Sequence, residues 1–290
     1  MDTTATRLTL RTGTPADAAA CGRICYEAFA ALAGRHHFPS DFPSVEVATG
    51  LLAALLAHPQ VYAVVAEVDG AIVGSNFLDE RSPVAGVGPI TIDPQVQDHG
   101  IGRRLMQAVL ARASERRCAG VRLLQDAHHT RSLALYATLG FAVRAPIACL
   151  NGHPIQAEIP GYTVRPAIEA DVEACNRVCR LVHGHDRGGE VREAITQGTA
   201  LVVEHAGRIT GYCTALAYFG HAVGESAEDL KALIASGRSF AGPGILVPAQ
   251  DSALFPWCLQ QGLRVVKVMT LMSLGLYHQP MGAYMPSVFY

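Results

Sequence analysis

The segment Gln97-Asp98-His99-Gly100-Ile101-Gly102-Arg103-Arg104 has the residue types of a diphosphate cradle. Two glycines one residue apart let the backbone turn tightly and present successive amide N–H groups. A helix beginning at that point adds unpaired first-turn amides and the positive end of its dipole. Neutral amides bind phosphate at any pH, without a competing proton. Arg103 and Arg104 could reach a phosphate or simply be solvated helix residues. Further along stands Tyr136, a phenol with an ordinary pKa near 10, which could donate a proton while staying neutral at pH 7. The plain alternative is a core aromatic on an amphipathic helix. Carboxylates suited to a general base are scarce around the turn. Glu80, next to Asp79 at a strand end, is the candidate, and a solvated strand end is its ordinary reading. His183-Gly184-His185-Asp186-Arg187-Gly188-Gly189-Glu190 is the densest polar cluster. It lacks a convincing distal metal ligand, so a ligand-contacting loop or a plain glycine-rich loop remain open.

The elements that position these residues can be read coarsely. Tyr62–Val68 and Ala71–Leu78 alternate around Asp69-Gly70, a tight-turn pair that predicts a hairpin. The run Gly88–Asp93 reads as a strand leading into the glycine turn. Leu105, Met106, Val109, Leu110 and Ala113 give a helix over 102–117 its apolar face. Val121–Leu124 reads as a buried strand, followed by a helix around 133–139 that stops at Gly140. The expected class is mixed α/β.

The chain also repeats itself. Arg11, Ala16, Asp17, Ala20, Cys21, Arg23 and Cys25 recur as Arg165, Ala170, Asp171, Ala174, Cys175, Arg177 and Cys179. Glu67, Gly70, Ile72 and Gly74 return as Glu204, Gly207, Ile209 and Gly211, and the segment from Leu123 to Phe141 is echoed from Ile245 to Leu263. Repeats this long mark two copies of one domain. The expected division is 1–150 and 162–290, joined by a linker at about 151–161, where Asn151-Gly152, Pro154 and Pro160-Gly161 interrupt both periodicities. The cysteine pairs four apart recur on equivalent helices, which favours core packing over metal binding.

A dinucleotide fingerprint needs a third glycine where Leu105 stands, and a P-loop needs the absent Gly-Lys-Ser/Thr. A strand Ile90-Thr91-Ile92-Asp93-Pro94, then Gln-x-x-Gly-x-Gly, then a helix resembles the acyl-CoA motif of the GNAT superfamily of N-acetyltransferases. Leu135-Tyr136-Ala137-Thr138-Leu139-Gly140-Phe141 is similar to that family's second signature. The resemblance implies two tandem GNAT-like domains, each a mixed, mostly antiparallel central sheet flanked by helices. It implies that Ile90 and Ile92 pair with the pantetheine arm of acetyl-CoA. It also implies that Gln97, Asp98, His99, Gly100, Ile101, Gly102 and Arg103 hold the pyrophosphate, and that Tyr136 protonates the departing thiolate. His129 occupies a position where the family often has an asparagine contacting the cofactor. The second copy departs from the pattern: it lacks the glycine turn, and Cys258 stands opposite Tyr136. One catalytic copy and one degenerate copy are therefore expected.

The expected activity is transfer of acetyl from acetyl-CoA to an amine of a small molecule or peptide, without a metal. A longer acyl-CoA remains possible in principle, as does a non-catalytic acyl-CoA sensor or scaffold. Without a strong base, holding a lysine-like amine neutral at pH 7 costs about 4–5 kcal/mol, against about 1 kcal/mol for an α-amine. A low-pKa acceptor is favoured. Half the 290 residues are hydrophobic, the formal charge is −2, and eight cysteines fall mainly in apolar segments. That composition argues against a nucleic-acid surface, a membrane span or a secreted disulfide framework, and for a cytoplasmic protein. The apolar, aromatic C-terminus leaves three uses open: completing the second sheet, covering the junction, or forming a homodimer surface.

Overall fold

The computed structural model describes residues 8–97 and 99–289, so the expected contact of Asp98 lies outside the described residues. The chain forms two compact units. The first comprises residues up to Glu80 and Val84–Val121, the second Arg81–Pro83 and everything from Arg122 onward.

In the first unit, β1 (Leu8–Thr12) pairs antiparallel with β2 (Val61–Val68), and helices α1 (Ala18–His36) and α2 (Val45–Ala57) lie between them in sequence. β2 pairs antiparallel with β3 (Ala71–Asp79) through the hairpin the sequence predicts. Asp69 and Gly70 have φ of 51° and 82°, the left-handed values this tight turn needs. β3 then carries two separate partners, β4 (Val84–Val87) and β5 (Thr91–Ile92), before α3 (Ile101–Glu115). The expected continuous strand at 88–93 is thus broken. Pro89 has no N–H for a ladder, so Ile90 sits between the strand pieces. Leu105, Met106, Val109 and Ala113 bury the expected face of α3.

The second unit takes in β6 (Gly120–Asp126), α4 (Thr130–Thr138) and β7 (Ala142–Asn151) of the first copy, β6 beginning just before the unit boundary. The second copy supplies β8 (Tyr162–Pro166), α5 (Val172–His183), α6 (Gly188–Thr196), β9 (Leu201–His205), β10 (Arg208–Cys213) and β11 (Ala222–Gly224). It continues through α7 (Ala227–Ala235), β12 (Ile245–Pro248), α8 (Leu254–Gln260), β13 (Arg264–Gly275) and β14 (Ala283–Met285). Two sets of strands run in this unit. One is β6-β13-β7-β12, in which strands of the two copies alternate; the other is β14-β11-β10-β9-β8. Because strands from the two sequence repeats alternate in one ladder, the compact units divide at 121/122 and not at the 151–161 linker expected from the sequence. In that connecting stretch Ile155 is buried in the core.

The repeated letters have a physical counterpart. Arg11 donates to Glu67 and, through both terminal nitrogens, to Asp17, each at 2.8 Å. Arg165 makes the same pairs with Glu204 and Asp171. Bidentate guanidinium–carboxylate geometry of this kind ties each first strand to the helix that follows it. The Arg11 guanidinium holds the Asp17 carboxyl down at about 2, so the pair stays intact through mildly acidic pH. Gly74 and Gly211 recur because a Cβ there would lie 2.7 Å from the Thr91 carbonyl and 2.9 Å from that of Val223. Cys21, Cys25, Cys175 and Cys179 are fully buried free thiols in the cores, as their spacing predicts. No described helix is long and apolar enough to cross a membrane.

Candidate active site

The glycine turn is built from its own backbone. Asp93 caps a short 3-10 turn, Pro94–Val96, by accepting from the Gln95 amide at 2.9 Å. The Gln97 side chain reaches back to donate to the Ile92 carbonyl at 3.4 Å, tying the turn to β5. His99 folds its Nδ1 onto the carbonyls of Gln97 (2.9 Å) and Val96 (3.2 Å). A neutral ring must then carry its proton on Nδ1, and the imidazole acts as a brace for the loop. Gly100, with φ 74° and ψ 5°, is the N-cap of α3 and provides no side-chain cap. The first bond inside the helix runs from the Arg104 amide to the Gly100 carbonyl at 3.2 Å. The amides of Ile101 and Gly102 precede it, at the positive end of a helix of 15 residues. Gly100 is exposed, and a Cβ there would meet nothing within 4 Å, so solvent-side room exists for a ligand. Arg103 and Arg104 are exposed on this first turn.

The corresponding helix of the second copy begins differently. Hairpin β9–β10 and strand β11 lead directly into α7, whose N-cap is Ser226. Three residues on, Asp229 is only 2 % exposed and turns its carboxylate back onto that end. Its Oδ2 accepts from the Ser226 amide and hydroxyl at 2.8 Å each, and Oδ1 accepts from the Thr210 hydroxyl. An internal carboxylate occupies the place where α3 presents glycine and open backbone. An incoming phosphate would meet like charge there.

Glu80 is firmly committed. Its oxygens take Arg112 Nε at 2.6 Å, Arg112 Nη2 at 3.1 Å and Arg116 Nε at 3.3 Å, and its side chain is 7 % exposed. Both oxygens are held by the guanidiniums of Arg112 in α3 and Arg116 at its C-cap, so the carboxylate clamps the end of β3 to the helix. Glu80→Gln should leave turnover within about twofold of wild type while costing on the order of 1 kcal/mol of stability in chemical denaturation. A large loss of kcat with unchanged stability would return Glu80 to the chemistry.

In the second unit, His129 is the N-cap of α4. Its amide donates to the Asp126 carbonyl at 2.8 Å, and its own carbonyl accepts from the Ser132 hydroxyl at 2.9 Å. The backbone of His129 is thus spent on starting the helix, and its ring is half-buried. Tyr136 lies two turns further on, 5 % exposed, with its ring tilted against Phe141 at 6.1 Å between centroids. Burial, and secondarily the Asp126 carboxylate, push its phenol well above the ordinary range. The proton therefore stays on at any physiological pH. Cys258, opposite it in the repeat, is fully buried, and Gly140 and Gly262 stop the two helices with φ of 95° and 92°.

Sequence reasoning missed the buried charges. Lys267 on β13 lies 2.8 Å from Asp126 on β6, and both side chains are less than a tenth exposed. Arg122, inside the apolar run Val121–Leu124, is fully buried. An arginine in an otherwise apolar strand was the available signal. Among the described residues no cluster of His, Cys, Asp or Glu is arranged to hold a metal.

The comparisons with known proteins agree with this architecture. A family model described as "Acetyltransferase (GNAT) family" matches residues 28–141. A mycothiol acetyltransferase of Nocardia farcinica is 42 % identical over 64 residues, which is 22 % of this chain and only 21 % of that protein. A candidate acetyltransferase structure from Pyrococcus horikoshii has a TM-score of 0.72 at 17 % identity, covering 95 % of this chain and 94 % of that one. A tandem GNAT protein from the clavulanic acid biosynthesis pathway has a TM-score of 0.55 at 12 % identity, covering 92 % of this chain and 98 % of its own. These structural likenesses speak to fold. Residues 28–141 match the GNAT acetyltransferase family model, and over nearly its whole length the chain shares the fold of a tandem GNAT protein.

Proposed function

We propose that the protein is an acetyl-CoA-dependent N-acetyltransferase whose first copy is catalytic and whose second copy is degenerate. The observation that carries this reading is the contrast between the two helix starts. α3 opens with glycine and exposed first-turn backbone, whereas α7 is already capped by Asp229. The pyrophosphate belongs on the first. Ile90 and Ile92, on either side of the start of β5, offer backbone to the pantetheine arm, and Gln97 fixes the turn's geometry.

In this reading the amine nitrogen attacks the thioester carbonyl, the C–N bond forms and the C–S bond breaks. The sulfur leaves as a thiolate and takes its proton from Tyr136, while the proton lost by nitrogen passes to water. The high phenol pKa makes Tyr136 a donor that is always loaded, and it stabilises sulfur first by a hydrogen bond. With Glu80 clamped by arginines, the acceptor must supply a neutral amine itself, which favours amines of low pKa.

The test is free-thiol release from acetyl-CoA at pH 7 with a panel of small-molecule and peptide amines. The expected result is amine-dependent release, faster for α-amines than for lysine-like side chains. Equal turnover of both classes would overturn the low-pKa preference. Binding of acetyl-CoA with no release for any amine would favour the alternative, a non-catalytic acyl-CoA sensor.

A further inference from the structure

The polar cluster at 183–190 does not enter the proposed chemistry, yet it joins a larger buried assembly within the second unit. Arg122 projects from β6 with no exposed surface and stacks its guanidinium 5.3 Å from the Tyr277 ring centroid. Tyr277 is also covered by Arg144, at 4.5 Å. The Arg122 charge is felt at Tyr277, Tyr284, His183 and His185, which places all four within its electrostatic reach. Tyr284 packs edge-on against His183 at 5.4 Å, and His183 lies 6.0 Å from His185. Arg187, 5 % exposed, pairs with Glu190 at 2.7 Å.

Three polar atoms in this assembly are buried and, among the described residues, without a hydrogen-bond partner: the Tyr277 and Tyr284 hydroxyls and His185 Nε2. Tyr284 is itself only 6 % exposed. A buried polar atom left unpaired costs stability, so three together need a reason. Their chemistry is complementary to one ligand type. The phenols are donors beside a guanidinium, which suits a carboxylate. His185 Nδ1 lies 3.1 Å from the His183 carbonyl, and burial holds the ring neutral, with its pKa lowered to about 4. Nδ1 then carries the proton, and Nε2 is left as an acceptor for a ligand N–H or O–H.

We propose that the assembly of Arg122, Tyr277, Tyr284 and His185 binds a small organic carboxylate that also carries a hydrogen-bond donor, such as an amino acid or hydroxy acid. The carboxylate could belong to the amine acceptor or to a separate effector. The site is independent of the acetyl-transfer reading, because it rests on the pairing of these groups alone.

The experiment measures melting temperature and calorimetric affinity of the full-length protein without acetyl-CoA. The probes are alanine, β-alanine, γ-aminobutyrate and lactate, each amino acid matched with its amino alcohol. At least one carboxylate should raise the melting temperature, and its amino-alcohol counterpart should not. Tyr284→Phe and Tyr277→Phe should each weaken that probe by about tenfold. They should leave the ligand-free melting temperature unchanged or higher, since neither hydroxyl has a protein partner to lose. Acetylation of the bound probe on adding acetyl-CoA would identify it as acceptor, and binding without acetylation as effector; either supports the site. Failure of every carboxylate to bind at millimolar concentration would overturn the proposal. So would ligand-free Tyr→Phe variants that melt well below wild type, which would make the hydroxyls structural.

Discussion

An Arg103→Asp variant should bind acetyl-CoA about 100-fold more weakly while folding at least as well as wild type. Arg103 stands three residues after the N-cap of α3, the place Asp229 holds relative to Ser226 in α7. A carboxylate there takes the offset from the N-cap that Asp229 has in the second copy, where it accepts from the Ser226 amide and hydroxyl, and it sets a negative charge against the positive end of the helix dipole. Acidic residues in a first helical turn typically contribute about 0.3–1 kcal/mol, so the free protein should melt at the wild-type temperature or slightly above it. The same carboxylate repels a diphosphate and competes for its donors, and a 100-fold loss corresponds to about 2.7 kcal/mol. Titration calorimetry and thermal denaturation of one preparation read both effects. Wild-type affinity in this variant would move the pyrophosphate away from α3.

Tyr136→Phe should lower kcat by about 10²–10⁴-fold, the usual contribution of a general acid, with KM for acetyl-CoA within about threefold of wild type. The ring keeps its packing against Phe141, so the variant should fold normally. Steady-state kinetics at saturating amine separates the two constants. If kcat is unchanged, Tyr136 is a core aromatic and the thiolate leaves with water's help. If KM rises and kcat does not fall, the hydroxyl binds cofactor and does not move a proton.

Much of the architecture was legible because it is local. The Asp69-Gly70 hairpin, the apolar stripe of α3 and the buried cysteine pairs follow from neighbours a few residues apart. The repeat was legible as letters, but its meaning was not. Arg11 meets Glu67 only because β1 and β2 align Thr9 with Glu67, a register no short window contains. Glu80 shows the same limit more sharply: its partners Arg112 and Arg116 lie on a helix that packs back on β3, so a carboxylate that reads as a base is a clamp. The continuous strand expected at 88–93 failed at Gly88-Pro89, where a missing N–H outweighs the β-forming isoleucines. Arg122 and Lys267 were hidden because each sits in an apolar strand whose charge is accounted for only in three dimensions. The interleaving of β12 and β13 with β6 and β7 was equally out of reach, since it joins residues far apart in the chain, as Ile245 with Leu150 and Arg264 with Asn151.

The fold is repeated while the open helix start occurs in one copy, and that asymmetry is the centre of the account. The most direct test is the stoichiometry of acetyl-CoA binding to the full-length chain by titration calorimetry. One site per chain is predicted, weakened about 100-fold by Arg103→Asp and untouched by Asp229→Asn. Two sites, or a single site whose affinity Arg103→Asp leaves unchanged, would contradict it.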